Sequence, residues 1–580
     1  PDVLRDVARQ LGAGRYLGGV IRSEADSTDV SVRVYDADGR VVAQETARGG
    51  ADRSLPDLGL AATVLLLPHL LEPGREVDLT PLTDRAPSAI ALTIQGDRAY
   101  RRSRFGEAFE FYGRALAEDS LLAIAAARGA QAGVWEERHE DAVRLADLAV
   151  RHGEALPTRH AHLVRGVQAY LAGDPALATA EVEAALAEDP GWTEAATLLG
   201  EIRYHLLPVG IDAEAAARRA FEGVIEGDSM FTPPLPHLAE MAIRRGEMPA
   251  ARELVERLTG ALGADAPAVR RLEVMAGCVA ENGIGVDGWR ELVAAEPAQA
   301  LIAGTALATG GAQPQCAEGA LRAALEVPDA GTAWGALLGL NALLLAQGRV
   351  DELQELLDSR LADGARGVYN LYVFDAAVTD AFRSRAEQAE RIIHGAYGDL
   401  YRGANGVNLW LMGVWLAARG DADMPHLLAQ EMELFIPGPR EREARLLASA
   451  LEAHAALARG DGAEAIRRYA DLTPTAPLWR YYWELHEALA PERIRWARAL
   501  LQAGDPQGAL DVASIFDHPA PITYVAYIAP SLAIRLAAAE ALGLEDLSAR
   551  FRQRLARLGW PGAHVPLSPT GPPLGTSPSP

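Results

Sequence analysis

The chain has 580 residues, 49% of them apolar and 6% aromatic, and a formal charge of −24 from 55 cationic and 79 anionic side chains. That length fits two to four domains or one long repeat array, and the acidic excess repels phosphate backbones, which argues against broad nucleic-acid binding. All 55 cations are Arg; without Lys, neither a P-loop phosphate site, nor the strand Lys of a protein kinase, nor a pyridoxal Schiff base is complete in this chain.

Residues 1–78 differ from everything that follows. A short helix is expected over Val3–Leu11, leading into Arg15–Arg22. From Asp29 to Asp36, Val30, Val32 and Val34 alternate with Ser31, Arg33 and Tyr35, the period of a half-buried strand. Asp36–Gly39 reads as a turn and Arg40–Thr46 as the returning strand, so this stretch is a hairpin. Leu55–Leu71 reads as a helix. The result is a small α/β module that is incomplete, since three strands at the start of a chain have few partners.

From Ser88 onward strand signals nearly vanish and a repeat sets in. Gly96, Phe105, Ala108, Tyr112, Ala115 and Leu116 outline one helix-turn-helix. Ala142 follows Ala108 by 34 residues, and Ala178 follows Ala142 by 36. The third unit carries Gly166, Ala169, Gly173, Ala178, Ala185, Leu186 and Pro190. The fourth runs from Trp192 through an insertion near Pro208 to Ile225, and the fifth through Leu238, Ala242, Gly246, Ala251 and Leu258. Small residues let paired helices approach closely, large ones plug the next pair, and no pair buries its apolar face alone, so pairs must stack.

Residues 261–330 are less regular, with Gly283–Gly288 and Gly310-Gly311 interrupting the helices. Pairs resume over 331–560, with turns at Gly348-Arg349, Gly420-Asp421, Gly460-Asp461 and Gly504-Asp505. Gly ending one helix and Asp capping the next is helix-hairpin chemistry. Seven prolines in 561–580 predict a disordered tail.

Cys278 and Cys316 are too few for a disulfide framework or a multi-Cys zinc site. Each lies in an Ala-rich context and is expected as a small core residue. No uninterrupted apolar run of 18 residues occurs, and Leu58–Leu71 contains Pro68 and His69, too short a stretch to span a bilayer. The chain starts at Pro1 rather than Met and is expected to be a fragment or a processed product, so the missing leader does not place it in the cytoplasm.

The repeat residues of 88–260 resemble the tetratricopeptide (TPR) family, and those of 331–560 more loosely. Leu11–Arg22, followed by Val30–Val42, is similar to the amino-terminal α/β domain of TolB-like proteins. That resemblance, with Ala91–Ser120, Ser514–Pro519 and Tyr524–Leu532, implies the sensory or docking region that bacterial Ser/Thr kinases, cyclases or transcriptional regulators carry ahead of or within a TPR array. No kinase motif is present, so kinase activity belongs to a segment upstream if it exists.

Catalytic motifs fail one by one. Gly283-x-Gly285-x-x-Gly288 matches a dinucleotide fingerprint but sits among helices rather than after a strand. His160-x-His162 puts its rings on different faces of a helix, unlike an i, i+4 metal pair. His486-Glu487 lacks the second His of a zinc-protease helix, and no Gly-x-Ser-x-Gly elbow occurs. One pattern remains. Laying the repeats in register places Tyr100, Tyr170 and Tyr204 at one inner-helix position, with Arg101, Trp135 and His205 one place later. Aromatics and Arg dominate interface hot spots, so these six are the candidate protein-binding groove; rings that simply pack between helices are the alternative.

The expected fold is mainly α, a TPR-type α-α superhelix (solenoid) preceded by the small α/β module. Its expected segments are 1–78, 88–260, 261–330, 331–560 and 561–580. The expected function is a non-catalytic scaffold for a protein or peptide partner, with no catalytic residue, metal or cofactor, no nucleic acid, and no membrane contact within this chain. An upstream membrane anchor would fit either a cytoplasmic or an extracytoplasmic location. The rival readings are an all-α enzyme such as an α/α-toroid glycosidase, for which Trp479, Trp483 and Trp496 near Glu484 are the hint, and the regulatory region of a transcriptional activator.

Overall fold

The computed structural model describes residues 15–24, 26–36, 38–50, 54–70, 85–206, 213–280, 286–364, 367–378, 387, 390–391, 394–395, 406–435, 441–472, 486, 488–518 and 522–559. The expected helix over Val3–Leu11, the insertion near Pro208, Gly283 and Gly285, Trp479, Trp483 and Glu484, and the tail 561–580 lie outside the described residues.

Strands β1 (Arg15–Glu24), β2 (Ser27–Asp36) and β3 (Val41–Gly49) form an antiparallel meander in the order β1-β2-β3. The register pairs Tyr16 with Tyr35 and Val30 with Ala47, and slips at Val34/Tyr35. Alternation gives the sheet one apolar face that must be covered. Helix α1 (Leu55–Leu70) covers it, with Leu58, Ala62 and Leu66 set over Val30, Val34, Ala43 and Ala47. Tyr16 and Tyr35 stack with their ring centroids 4.9 Å apart.

Five helix pairs follow. They are α2 (Pro87–Tyr100) with α3 (Phe105–Glu118), α4 (Ala123–Trp135) with α5 (His139–Arg151), and α6 (Thr158–Ala172) with α7 (Pro175–Glu188). Next come α8 (Thr193–His205) with α9 (Ala213–Gly227), and α10 (Leu235–Arg244) with α11 (Met248–Leu262). The array continues through α12 (Pro267–Ala280), α13 (Val286–Ala295), α14 (Pro297–Ala308), α15 (Pro314–Leu325), α16 (Ala330–Ala346), α17 (Val350–Ala362) and α18 (Val368–Val378). It ends with α19 (Gly406–Ala418), α20 (Asp423–Phe435), α21 (Glu441–Ala458), α22 (Gly462–Ala470), α23 (Ala490–Gln502), α24 (Pro506–Ala513), α25 (Ile528–Ala541) and α26 (Glu545–Leu558). The fold is thus mainly α, a TPR-type array of helix pairs after a small sheet. The chain divides into two compact units, Pro1–Gln168 with Ala180–Pro190, and Ala169–Thr179 with Gly191–Pro580.

Within each unit the pairs close over small residues. A Cβ on Gly96 would lie 2.6 Å from the Tyr112 ring, and one on Gly304 would lie 2.7 Å from Leu321. Ala108, Ala142 and Ala178 are fully buried. The turns match their sequence: Gly460 and Gly504 take φ of +81° and +83°, where a Cβ is penalised. Asp461 and Asp505 then accept from the backbone N–H groups of Glu464 (3.0 Å) and Gly508 (2.8 Å), N-caps that satisfy otherwise orphaned donors.

Two expectations need correction. Cys278 and Cys316 are buried, but they are joined in a disulfide with Cα atoms 5.9 Å apart, a separation the bond requires. They stand on α12 and α15, far enough apart in sequence that only the stacking of successive pairs brings them together. The helical stretch Ile522–Ala541 is also long and apolar enough to cross a membrane, with mean hydropathy 1.4, despite Arg535 within it. It is 72% buried inside the protein, as a core helix is.

In the second unit two 3-10 turns near the end of the array, Ser514–Asp517 and Ile522–Tyr527, lie against earlier helices. Asp517 binds both Arg535 (2.6 Å) and Arg554 (2.7 Å). The His518 ring is buried beside Arg203 and Leu206 at the end of α8. Ile522 packs against α16 at Gly339, and the Tyr524 hydroxyl donates to the Ala488 carbonyl (2.9 Å).

Candidate functional site

The first helix of a pair keeps one stripe for its partner and, in a simple stack, leaves another for solvent or a ligand. Helix α10 has no such free stripe: every residue from Leu235 to Arg244 is buried. Buried with its apolar residues are His237, Glu240 and Arg244, spaced i, i+3 and i+7 along one face. Glu201, Tyr204 and His205 of α8 meet them, and Glu201 and His205 share a face by their i, i+4 spacing.

The contacts are close. The Tyr204 hydroxyl donates to Glu240 Oε2 (3.0 Å) and accepts from Arg244 (3.1 Å). Arg244 also binds Glu214 of α9 (2.6 Å), and Arg271 of α12 binds the other oxygen of Glu240. His237 Nε2 lies 3.3 Å from Glu201 and 3.3 Å from His205 Nε2, which itself lies 3.2 Å from Glu201. The Tyr204 and His237 rings lie 4.4 Å apart.

Charge balance follows from burial. Burial alone would raise the Glu201 carboxyl, but His237 and His205 outweigh it and hold the carboxylate well below its usual range. Burial works against a charged His237, and Glu201 with Glu240 overcomes it, so this imidazole is pushed up. For Glu240 the opposing burial is outweighed by Arg271 and His237. His205 goes the other way, held down by burial. Buried charges survive only when paired and hydrogen-bonded in this manner.

The six residues expected in the groove fall into separate settings. In the first unit, Tyr100 is buried at 3% exposure, and Arg101 and Trp135 are half-buried. Phe105 ties Tyr100 to Trp135: it meets Tyr100 edge-on at 5.2 Å and stacks on Trp135 at 4.6 Å. In the second unit, Tyr170 and Tyr204 are buried at 4% exposure, and the half-buried His205 stands with Tyr204 in the polar cluster.

Glu201, His237, Glu240, Arg244 and Arg271 escape a motif-by-motif reading. For Glu201, His237 and Glu240 the signal is the repeat itself: His237 follows Glu201 by 36 residues, and Glu240 follows Tyr204 by 36; Arg244 and Arg271 stand at other spacings. Equivalent places in successive inner helices are neighbours in space, so polar residues recurring at one repeat length must meet.

A second buried cluster lies further along the same unit. Glu492 accepts from Trp410 Nε1 (2.9 Å) and lies 2.7 Å from His454 Nε2, and the other ring nitrogen of His454 lies 3.0 Å from the Tyr469 hydroxyl. These contacts tie α19, α21, α22 and α23 together.

No family model and no curated protein matches the chain. Among solved structures it is similar to the P58(IPK) TPR domain, at 13% identity over 69% of this chain and 98% of that one, with a TM-score of 0.19. It is similar to yeast Tom70 at 11% identity over 81% and 98%, with a TM-score of 0.26. It is also similar to the Cut9–Hcn1 hetero-tetramer of APC/C at 12% identity over 83% and 89%, with a TM-score of 0.22. Likenesses this distant bear on neither the site nor its chemistry.

Proposed function

We propose that this chain is a non-catalytic scaffold that holds a protein or peptide partner on the inner helices of its repeats, as the sensory or docking region of a bacterial signalling protein. One observation carries the reading. In the second unit two 3-10 turns of the chain itself, Ser514–Asp517 and Ile522–Tyr527, already pack against other helices, with His518 beside the end of α8 and Ile522 against α16. A surface that takes in a separate stretch of chain through apolar contact at Gly339 and a backbone carbonyl, that of Ala488, offered to the Tyr524 hydroxyl has chemistry suited to peptide docking. Of the six residues expected in the groove, the partner's contacts are assigned to the half-buried Arg101 and Trp135 of the first unit, whose ring and charge suit a hot spot; Tyr100, Tyr170 and Tyr204 are buried and are assigned to packing. An acidic surface of charge −24 favours a basic partner.

The test is partner capture from a bacterial lysate by the full chain, by Arg101→Ala and by Trp135→Ala, followed by affinity measurement on the purified partner. The two variants are expected to fold and to bind at least about thirtyfold more weakly. Folded variants that bind as the parent does would refute the docking role of these residues.

A further inference from the structure

We propose that Glu201, His205 and His237 form a binding site for one divalent transition-metal ion of the zinc class. The observation is the convergence of three ligand atoms. One Glu201 carboxylate oxygen, His205 Nε2 and His237 Nε2 stand 3.2 to 3.3 Å from one another. Two ligands bound at about 2.0–2.1 Å to one tetrahedral centre are separated by about 3.3 Å. The triangle is therefore the one a zinc ion would impose. It is also the one such group among the described residues; His162/Glu181 and His426/Glu452 are pairs.

A hydrogen-bonded triad is the competing account. A proton on either ring nitrogen points at one of its two neighbours, so it serves one edge of the triangle at a time. A cation at the centre serves all three ligands. The donor set also fits: two imidazoles and one carboxylate are the protein ligands of a three-coordinate zinc site with a further position for water or a ligand oxygen.

The surroundings are those of a metal ligand. His237 Nδ1 faces Glu240 Oε2 at 3.9 Å, and Glu240 is itself fixed by the Tyr204 hydroxyl (3.0 Å) and Arg271. At 3.9 Å the Glu240 carboxylate acts on the ring through its charge rather than through a hydrogen bond, and negative charge behind an imidazole favours a cation on its other nitrogen. Arg271 offsets Glu240 and Arg244 offsets Glu214, so the described partners of Glu201 are the two imidazoles. Glu201 and His237 are buried at 7% and 6% exposure, on two helices rather than on loops, which favours fixed geometry. The proposal does not depend on partner docking.

The experiment uses the full chain without a histidine tag, stripped by chelator and titrated with Zn2+ by competition calorimetry, with Co2+ as a spectroscopic probe. One Zn2+ per chain is expected, with the visible bands of tetrahedral Co2+ and a thermal midpoint that rises with added metal. Glu201→Gln and His237→Ala are expected to weaken binding by roughly a hundredfold or more, and Glu240→Gln by about tenfold or less. His426→Ala should leave it unchanged. Should the ligand variants fail to fold, the parent's stoichiometry and Co2+ spectrum decide alone. A parent chain without stoichiometric Zn2+ or tetrahedral Co2+, or folded Glu201→Gln and His237→Ala variants that bind as it does, would overturn the site.

Discussion

Gly200 of α8 lies directly beneath the Phe221 ring of α9, so close that a Cβ on Gly200 would stand 2.3 Å from Cε1. Phe221 is fully buried and has no room to retreat. Gly200→Ala is therefore expected to destabilise the second unit by about 1–3 kcal/mol, the usual cost of overpacking. Gly223, on α9 with nothing within 4 Å of its Cβ position, gives the opposite sign. Gly223→Ala should stabilise by about 0.5–1 kcal/mol through helix propensity. Thermal melts of the two variants check both values, and equal effects would contradict the packing.

Asp375 of α18 is fully buried and accepts from Asn341 Nδ2 (2.9 Å). Burial pushes its carboxyl up to about 8, against the lowering effect of the Asn341 hydrogen bond. The folded chain then keeps a proton that the unfolded chain releases near pH 4. Stability from this group is complete below about pH 4 and is lost as pH rises to about 8, by at most about 1.4 kcal/mol per pH unit. Asp375→Asn abolishes the effect. The midpoint of the parent relative to Asp375→Asn should fall steadily from pH 5 to pH 8, and a constant difference would contradict a protonated Asp375.

The Cys278–Cys316 disulfide closes a loop with a sequence separation of 38. Loop closure of that length stabilises by about 4 kcal/mol in the chain-entropy account. Cys278→Ala/Cys316→Ala is expected to lower the melting temperature, and reductant should lower that of the parent while leaving the variant unchanged. Alkylation before and after reduction, read by mass spectrometry, reports whether the bond is formed.

Tyr170 and Trp135 separate packing from docking. Tyr170 is 4% exposed, and cutting a buried aromatic back to Ala costs about 3–5 kcal/mol. Trp135 is half-buried and stacks on Phe105, a contact worth about 0.5–1.5 kcal/mol beyond its area. Trp135→Ala should therefore melt only slightly lower while losing partner affinity, whereas Tyr170→Ala should mainly lose stability. Calorimetry with parallel binding measurements distinguishes them.

Much of this architecture is local and could be read directly. Helix pairs follow from Ala and Gly recurring at intervals of 34 to 36 residues, and turns from Gly460-Asp461 and Gly504-Asp505, because helix ends and close approaches depend on the few residues that form them. The hairpin is legible because Val30, Val32 and Val34 alternate with polar side chains, and alternation assigns faces without reference to anything distant. The recurring tyrosines were legible as positions, but not as contacts.

What each residue touches was decided by how the pairs stack, a geometry that no single repeat contains. It brings Cys278 to Cys316, sets His518 beside the end of α8, and turns Glu201, His205 and His237 inward on one point. Each side chain looks ordinary in its own helix. Only when neighbouring helices exclude water from between them do a carboxylate and two imidazoles become a coordinated set, because buried polar groups must satisfy one another once solvent is gone.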